Sequence, residues 1–135
     1  MANVLIVEDN ALVAKFYALA LERAGNFRCR HGRTADEVLS RARAGEVDLV
    51  ILDISLANFT HNGKLIDGLQ LARLLKDDPE TRRIPILLAT AHAMEGDRER
   101  FLEASGADGY LEKPIYEPQV LLSKVNELLP PPRKG

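Results

Sequence analysis

The stretch Asp48-Leu49-Val50-Ile51-Leu52-Asp53 decides the fold: four apolar residues in a row, closed at each end by a carboxylate. A run that is apolar at every position, rather than at every second one, belongs to a strand buried on both faces. That is the usual state of a parallel sheet covered by helices. Val4-Leu5-Ile6-Val7 and Ile86-Leu87-Leu88-Ala89 are runs of the same kind. Phe27-Arg28-Cys29-Arg30-His31 alternates and carries charge, which places it at an edge, and Gly109-Tyr110-Leu111 is the fifth run.

Helical patterns fill the intervals. Asn10 is placed to cap a helix over about 11–24, with Leu12, Phe16, Leu19 and Ala20 on one stripe and Gly25 ending it. Thr34 caps the next, Glu37 completing a capping box and Gly45 closing the helix. A third helix follows Asp67-Gly68 with Leu71, Leu74 and Leu75 on one face and stops near Asp78-Pro79. A fourth covers about 95–104, before Gly106, and the last runs from Pro118 to Leu129 with Leu121, Val125 and Leu128 aligned. Five strand-then-helix units predict an α/β fold: a doubly wound five-stranded parallel sheet with helices on both faces and a flavodoxin-like strand order of 2-1-3-4-5. Residues 1–129 make one domain, and Pro130-Pro131-Pro132 opens a six-residue tail or linker stub over 130–135.

Bulk properties narrow the function classes. A chain of 135 residues suits one domain, and a net charge of -2 supplies no basic field for direct nucleic-acid binding. No segment is long and apolar enough for a membrane span, and the start shows no basic, cleavable leader; with the lone Cys29, read as a small core residue, this places the chain in the cytoplasm. His31, His61 and His92 lack the spacing of a zinc site.

In an open parallel sheet, ligands bind outside the carboxyl ends of the strands. The polar residues that follow the runs are Glu8 and Asp9, Asp53, Thr90, and Lys113 before Pro114. Distant in sequence, they converge on one sheet edge. Three carboxylates together repel one another, and a hard divalent cation such as Mg²⁺, with Mn²⁺ as a substitute, relieves that by taking oxygen ligands. A carboxylate can also act as nucleophile toward phosphorus, with the cation and Lys113 neutralising phosphoryl oxygens and Thr90 donating to one of them.

The segments Val4 to Asn10, Asp48 to Asp53, Thr90-Ala91 and Gly109 to Ile115, in that order and spacing, make the chain resemble the receiver domain of two-component response regulators over nearly its whole length. The resemblance implies a phosphoacceptor signalling domain rather than an enzyme in the ordinary sense. Glu8 and Asp9 would be the acidic pair of the Mg²⁺ site, Asp53 the phosphoacceptor and a ligand, and the Ser55 backbone carbonyl a further ligand. Thr90 would be the switch hydroxyl, Lys113 the phosphate-contacting cation and Tyr110 the aromatic switch, moving inward as Thr90 turns. A cis peptide before Pro114 is also implied. So are a sensor histidine kinase or histidine phosphotransfer protein as donor, docking near Asn10 to Tyr17, and a downstream protein target. Helix 4, strand 5 and helix 5 would form the switching surface, which could also make a homodimer. Whether such a receiver stands alone or is a piece of a longer regulator is open.

The chain departs from the pattern between Asp53 and Asp67, where Ile54 to Ile66 is about seven residues longer than expected and long loops in compact domains are often functional. It holds the turn signal Asn62-Gly63, and the family's frequent Pro is absent, with Ala57 or Asn58 near its place. This insertion either shields the acyl phosphate or contacts a partner, or is a tolerated surface loop. Ser55 and His92, two positions past Asp53 and Thr90, are candidates for tuning phosphoryl lifetime; a plain exposed loop histidine is the alternative for His92. Two other users of an aspartate or of this fold fit less well. A flavodoxin wants a hydroxyl-rich phosphate loop where Glu8-Asp9-Asn10 stands, and a dehalogenase-type phosphatase wants an Asp at Ser55. A non-catalytic interaction module on the same fold is the remaining alternative.

Overall fold

The computed structural model describes residues 1–24, 26–91 and 94–129. In chain order the elements are β1 (Ala2–Val7), α1 (Ala11–Arg23), β2 (Phe27–His31), α2 (Ala35–Arg43), β3 (Leu49–Asp53), β4 (Thr60–His61), β5 (Lys64–Leu65), α3 (Gly68–Asp77), β6 (Ile86–Thr90), α4 (Asp97–Ser105), β7 (Gly109–Glu112) and α5 (Pro118–Leu128). β4 and β5 form a small antiparallel hairpin. The other strands make one parallel sheet in the order β2-β1-β3-β6-β7, which is the expected 2-1-3-4-5 once the hairpin is set aside. Every residue of β3 and β6 is buried, while β2 alternates at the edge.

Successive strand residues point to opposite faces, so each apolar run feeds two cores. Leu5, Val50, Leu52, Ile86 and Leu88 meet Val38, Leu39, Leu71 and Leu75 from α2 and α3. Val4, Ile6, Leu49, Ile51 and Leu87 meet Tyr17, Leu21, Leu121 and Val125 from α1 and α5. Each such side chain contributes ~1.5–3 kcal/mol by leaving water, and the two cores hold the strand ends in fixed register.

Helix ends follow their caps, with two corrections. Asn10 accepts from the amides of Leu12 and Val13 as expected, but α1 buries Ala14, Tyr17, Ala20 and Leu21. Leu12 and Leu19 face solvent instead. α1 is apolar on most of its circumference, and the small Ala14 and Ala20 let it approach the sheet closely. At α2, Thr34 accepts from Glu37 N, but the Glu37 carboxylate accepts from Arg33 N rather than from the cap residue, so no reciprocal box forms. The full box belongs to α3, where Asp67 and Gln70 each accept from the other's amide. Gly45 closes α2 as expected, its amide and that of Glu46 donating to Ala42 O and Arg41 O.

The insertion is an anchored arm. Asn62 and Gly63 take φ of 52° and 80°, the pair of positive values that a two-residue hairpin turn requires. Phe59 is buried in the core beneath α2 and α3, and Ile66 N donates to Phe59 O at 2.9 Å. At the arm's base Gly68 N donates to Ile54 O at 2.9 Å, and a Cβ on Gly68 would lie 2.0 Å from the carbonyl oxygen of Asp53. Only glycine fits so close to that backbone.

Cys29 is half-buried at the margin of the α1–α5 core, not deep inside it. Burial, then the charge of Glu22, pushes its thiol up to about 12. Among the described residues no helix is long and apolar enough to cross a membrane. Gly25, His92 and the tail over 130–135 lie outside the described residues.

Candidate functional site

Glu8, Asp53, Thr90 and Lys113 emerge together at the carboxyl edge because β1, β3, β6 and β7 are parallel neighbours in register. Asp53 is paired with Ala89, which puts Thr90 one step further along the adjacent strand, and Lys113 N donates to Thr90 O at 2.8 Å. Thr90, Glu8 and Asp53 are all buried.

Lys113 Nζ lies 2.9 Å from Glu8 Oε1 and 3.3 Å from Asp53 Oδ1. Asp53 Oδ1 also accepts from Ser55 N at 3.2 Å. One cation thus serves two buried carboxylates. Burial first, then the hydrogen bond and charge of Asp53, raise the Glu8 pKa to about 7, with Lys113 only partly opposing them. Burial alone would depress the Lys113 pKa, but the hydrogen bond to Glu8 and the charge of Asp53 outweigh it and hold the ammonium above its ordinary value. Glu8 Oε2 is buried with no hydrogen-bond partner. The pocket therefore carries more negative charge than its own lysine satisfies.

Asp9 is exposed, and its Oδ2 accepts a hydrogen bond from the backbone amide of Ala57 at the root of the arm. Asp9 is thereby turned toward the arm, and among the described residues no three His, Cys, Asp or Glu side chains stand gathered as a metal cluster. The donors fit a hard divalent cation in kind: Glu8, Asp9, Asp53 and the Ser55 carbonyl all offer oxygen, and Glu8 has a buried oxygen unspent.

Tyr110 is buried, its ring 6.3 Å from that of Phe101, and its hydroxyl has no partner. The bond between Lys113 and Pro114 is cis, as expected. Sequence reasoning missed two contributors. His31 Nε2 donates to the main-chain oxygen of Glu8 at 2.8 Å from β2, a contact that its position at the end of the second run could have suggested. The Ala57 amide left no trace in the side-chain pattern. A concavity of about 1160 Å³, lined in part by Phe27, Val47, Ile84 and Leu128, lies at the opposite edge of the sheet and contains none of the candidate site residues.

Comparison with known proteins gives the family and agrees with the fold. The model of the response regulator receiver domain matches residues 4–126. The polar-differentiation response regulator DivK of Brucella anthropi is 38% identical over 121 residues, covering 88% of this chain and 89% of that protein. The receiver domain of a signal transduction histidine kinase from Syntrophus aciditrophicus is 33% identical with a TM-score of 0.78, covering 96% of this chain and 90% of that one. The chemotaxis protein CheY4 of Vibrio cholerae, 24% identical with a TM-score of 0.79 over 96% of this chain and 99% of that one, shares the fold. The chain belongs to the response regulator receiver domain family of two-component systems.

Proposed function

We propose that Asp53 accepts a phosphoryl group from the phosphohistidine of a sensor histidine kinase or a histidine phosphotransfer protein. The observation that carries this reading is the placement of Lys113 between Glu8 and Asp53 at the strand ends, with one buried carboxylate oxygen left unsatisfied. A carboxylate oxygen of Asp53 attacks phosphorus, the bond from phosphorus to the donor's imidazole nitrogen breaks, and the imidazole leaves. Lys113 supplies fixed positive charge to the phosphoryl oxygens, and the Ser55 amide keeps Asp53 oriented. Glu8, Asp9, Asp53 and the Ser55 carbonyl would hold Mg²⁺, or Mn²⁺ in its place, which when bound neutralises charge on the transferring group.

Thr90 then donates to a phosphoryl oxygen, and Tyr110 reports the change. A buried hydroxyl without a partner makes its inward position costly, which leaves the ring ready to exchange between an inward and an outward position. Its bias moves the surface of α4, β7 and α5, which meets a downstream protein or a second copy of the chain. Leu12, exposed at the start of α1 beside the site, offers the donor protein an apolar contact. The setting is the cytoplasm, where such donors act. Intact mass after incubation with acetyl phosphate and Mg²⁺ tests the reading. One phosphoryl adduct that disappears with chelator and in Asp53→Asn is expected. No adduct, together with no beryllofluoride binding, would overturn it in favour of a non-catalytic interaction module.

A further inference from the structure

We propose that the backbone amide of Ala57 restrains Asp9 against divalent cations, so that the inserted arm sets how tightly the acidic pocket binds them; this rests on the reading of Glu8, Asp9 and Asp53 as cation ligands. The contact is direct: Ala57 N–H donates to Asp9 Oδ2. An N–H donor and a cation draw on the same carboxylate lone pairs, and the bond also fixes which way the side chain points. Asp9 is exposed, and this amide is the one partner recorded for its carboxylate among the described residues. Little else opposes its swing toward Glu8 and Asp53.

The amide is held firmly. Leu56 and Phe59 on either side of it are buried, Ile66 N closes onto Phe59 O, and Gly68 N closes the base onto Ile54 O. The donor is therefore carried by an anchored arm, whose position is communicated to Asp9. A proline near this place, the commoner residue in chains that this one resembles, has no N–H and could make no such bond. Coupling of this kind is reciprocal: cation binding frees the root of the arm, and whatever holds the arm in place weakens the cation.

Calorimetric titration of the full chain with Mg²⁺, in wild type and Ala57→Pro, measures the restraint, and amide NMR of the wild type over the same titration watches the bond itself. Removing one such hydrogen bond is expected to tighten Mg²⁺ about three- to tenfold. In the wild type, the Ala57 amide proton is expected to shift upfield and exchange faster as Mg²⁺ saturates. Equal or weaker binding by a folded Ala57→Pro, or an Ala57 amide that keeps its hydrogen-bonded shift and protection in saturating Mg²⁺, would overturn the proposal. If Ala57→Pro fails to fold, the wild-type amide decides alone. Mg²⁺ binding to neither protein would instead overturn the ligand reading beneath it, and with it the restraint.

Discussion

The two ends of the sheet use the same residue types to opposite purposes. At the amino end, Asp48 Oδ2 accepts from Asn3 N at 2.7 Å, and Asp108 Oδ2 accepts from Ile86 N at 2.9 Å. Lys76 Nζ stands 2.7 Å from Asp108 and also donates to Arg82 O at 3.0 Å and Ile84 O at 2.8 Å. Each charge there is matched within the chain, mostly by backbone. At the carboxyl end a single lysine is divided between two carboxylates, and a buried oxygen is left over. A set of charges complete in itself fastens strands. An incomplete set, held rigid by the same strands, is ready for charge from outside.

The sharpest way to break this contrast is to remove one carboxylate from each end. Asp53→Asn should lose the acetyl-phosphate adduct entirely in the mass measurement, while Asp48→Asn should keep it. An adduct surviving in Asp53→Asn would place the phosphoacceptor elsewhere.

The edge strand β2, midway between the two ends, offers a third point of comparison, since there an ionisable group stays neutral. With its thiol pushed up from 9.0 to about 12, Cys29 carries about 10³-fold less thiolate at pH 8 than a free thiol. Its alkylation in the native protein should be markedly slower than that of a free thiol and should rise about tenfold per pH unit through pH 10. Labelling at the rate of a free thiol would show that the β2 edge opens.

Stability should separate the ends next. Asp108→Ala strips Ile86 N and Lys76 of a partner and should lower unfolding free energy by ~1–3 kcal/mol, read from the urea midpoint. Glu8→Gln goes the other way. Replacing a buried, under-compensated carboxylate with a neutral amide should raise the stability of the cation-free protein at pH 8 by about 1 kcal/mol. A loss of comparable size in Glu8→Gln would mean that the carboxyl end, too, is built for stability.

Sequence legibility followed the physics of each element. Runs such as Leu49 to Leu52 are apolar at every position, and nothing but a two-sided burial explains that, so the sheet, its order and the strand-end residues could be read directly. The stripe of α1 could not: Leu12, Val13, Phe16, Tyr17, Leu19 and Leu21 wrap the helix, and only the tertiary fit of Ala14 and Ala20 selects the inner face. The arm was half legible. Asn62-Gly63 announced its turn, but two-residue strands have no periodicity to detect, and the burial of Phe59 depends on space left by α2 and α3. The contact from Ala57 to Asp9 was invisible, because a backbone amide is common to nearly every residue and only the fold aims it.

Gly68 has a wider consequence. Its amide grips Ile54 and its missing side chain lets the start of α3 lie against the carbonyl of Asp53, so the two ends of the intervening stretch meet whatever runs between them. Strand and helix are clasped at one point, and the arm leaves the clasp after Ser55 and returns to it before Asp67. Lineages sharing this frame could lengthen, shorten or exchange that arm, and with it the company the domain keeps, while the aspartate beside it stays where it is.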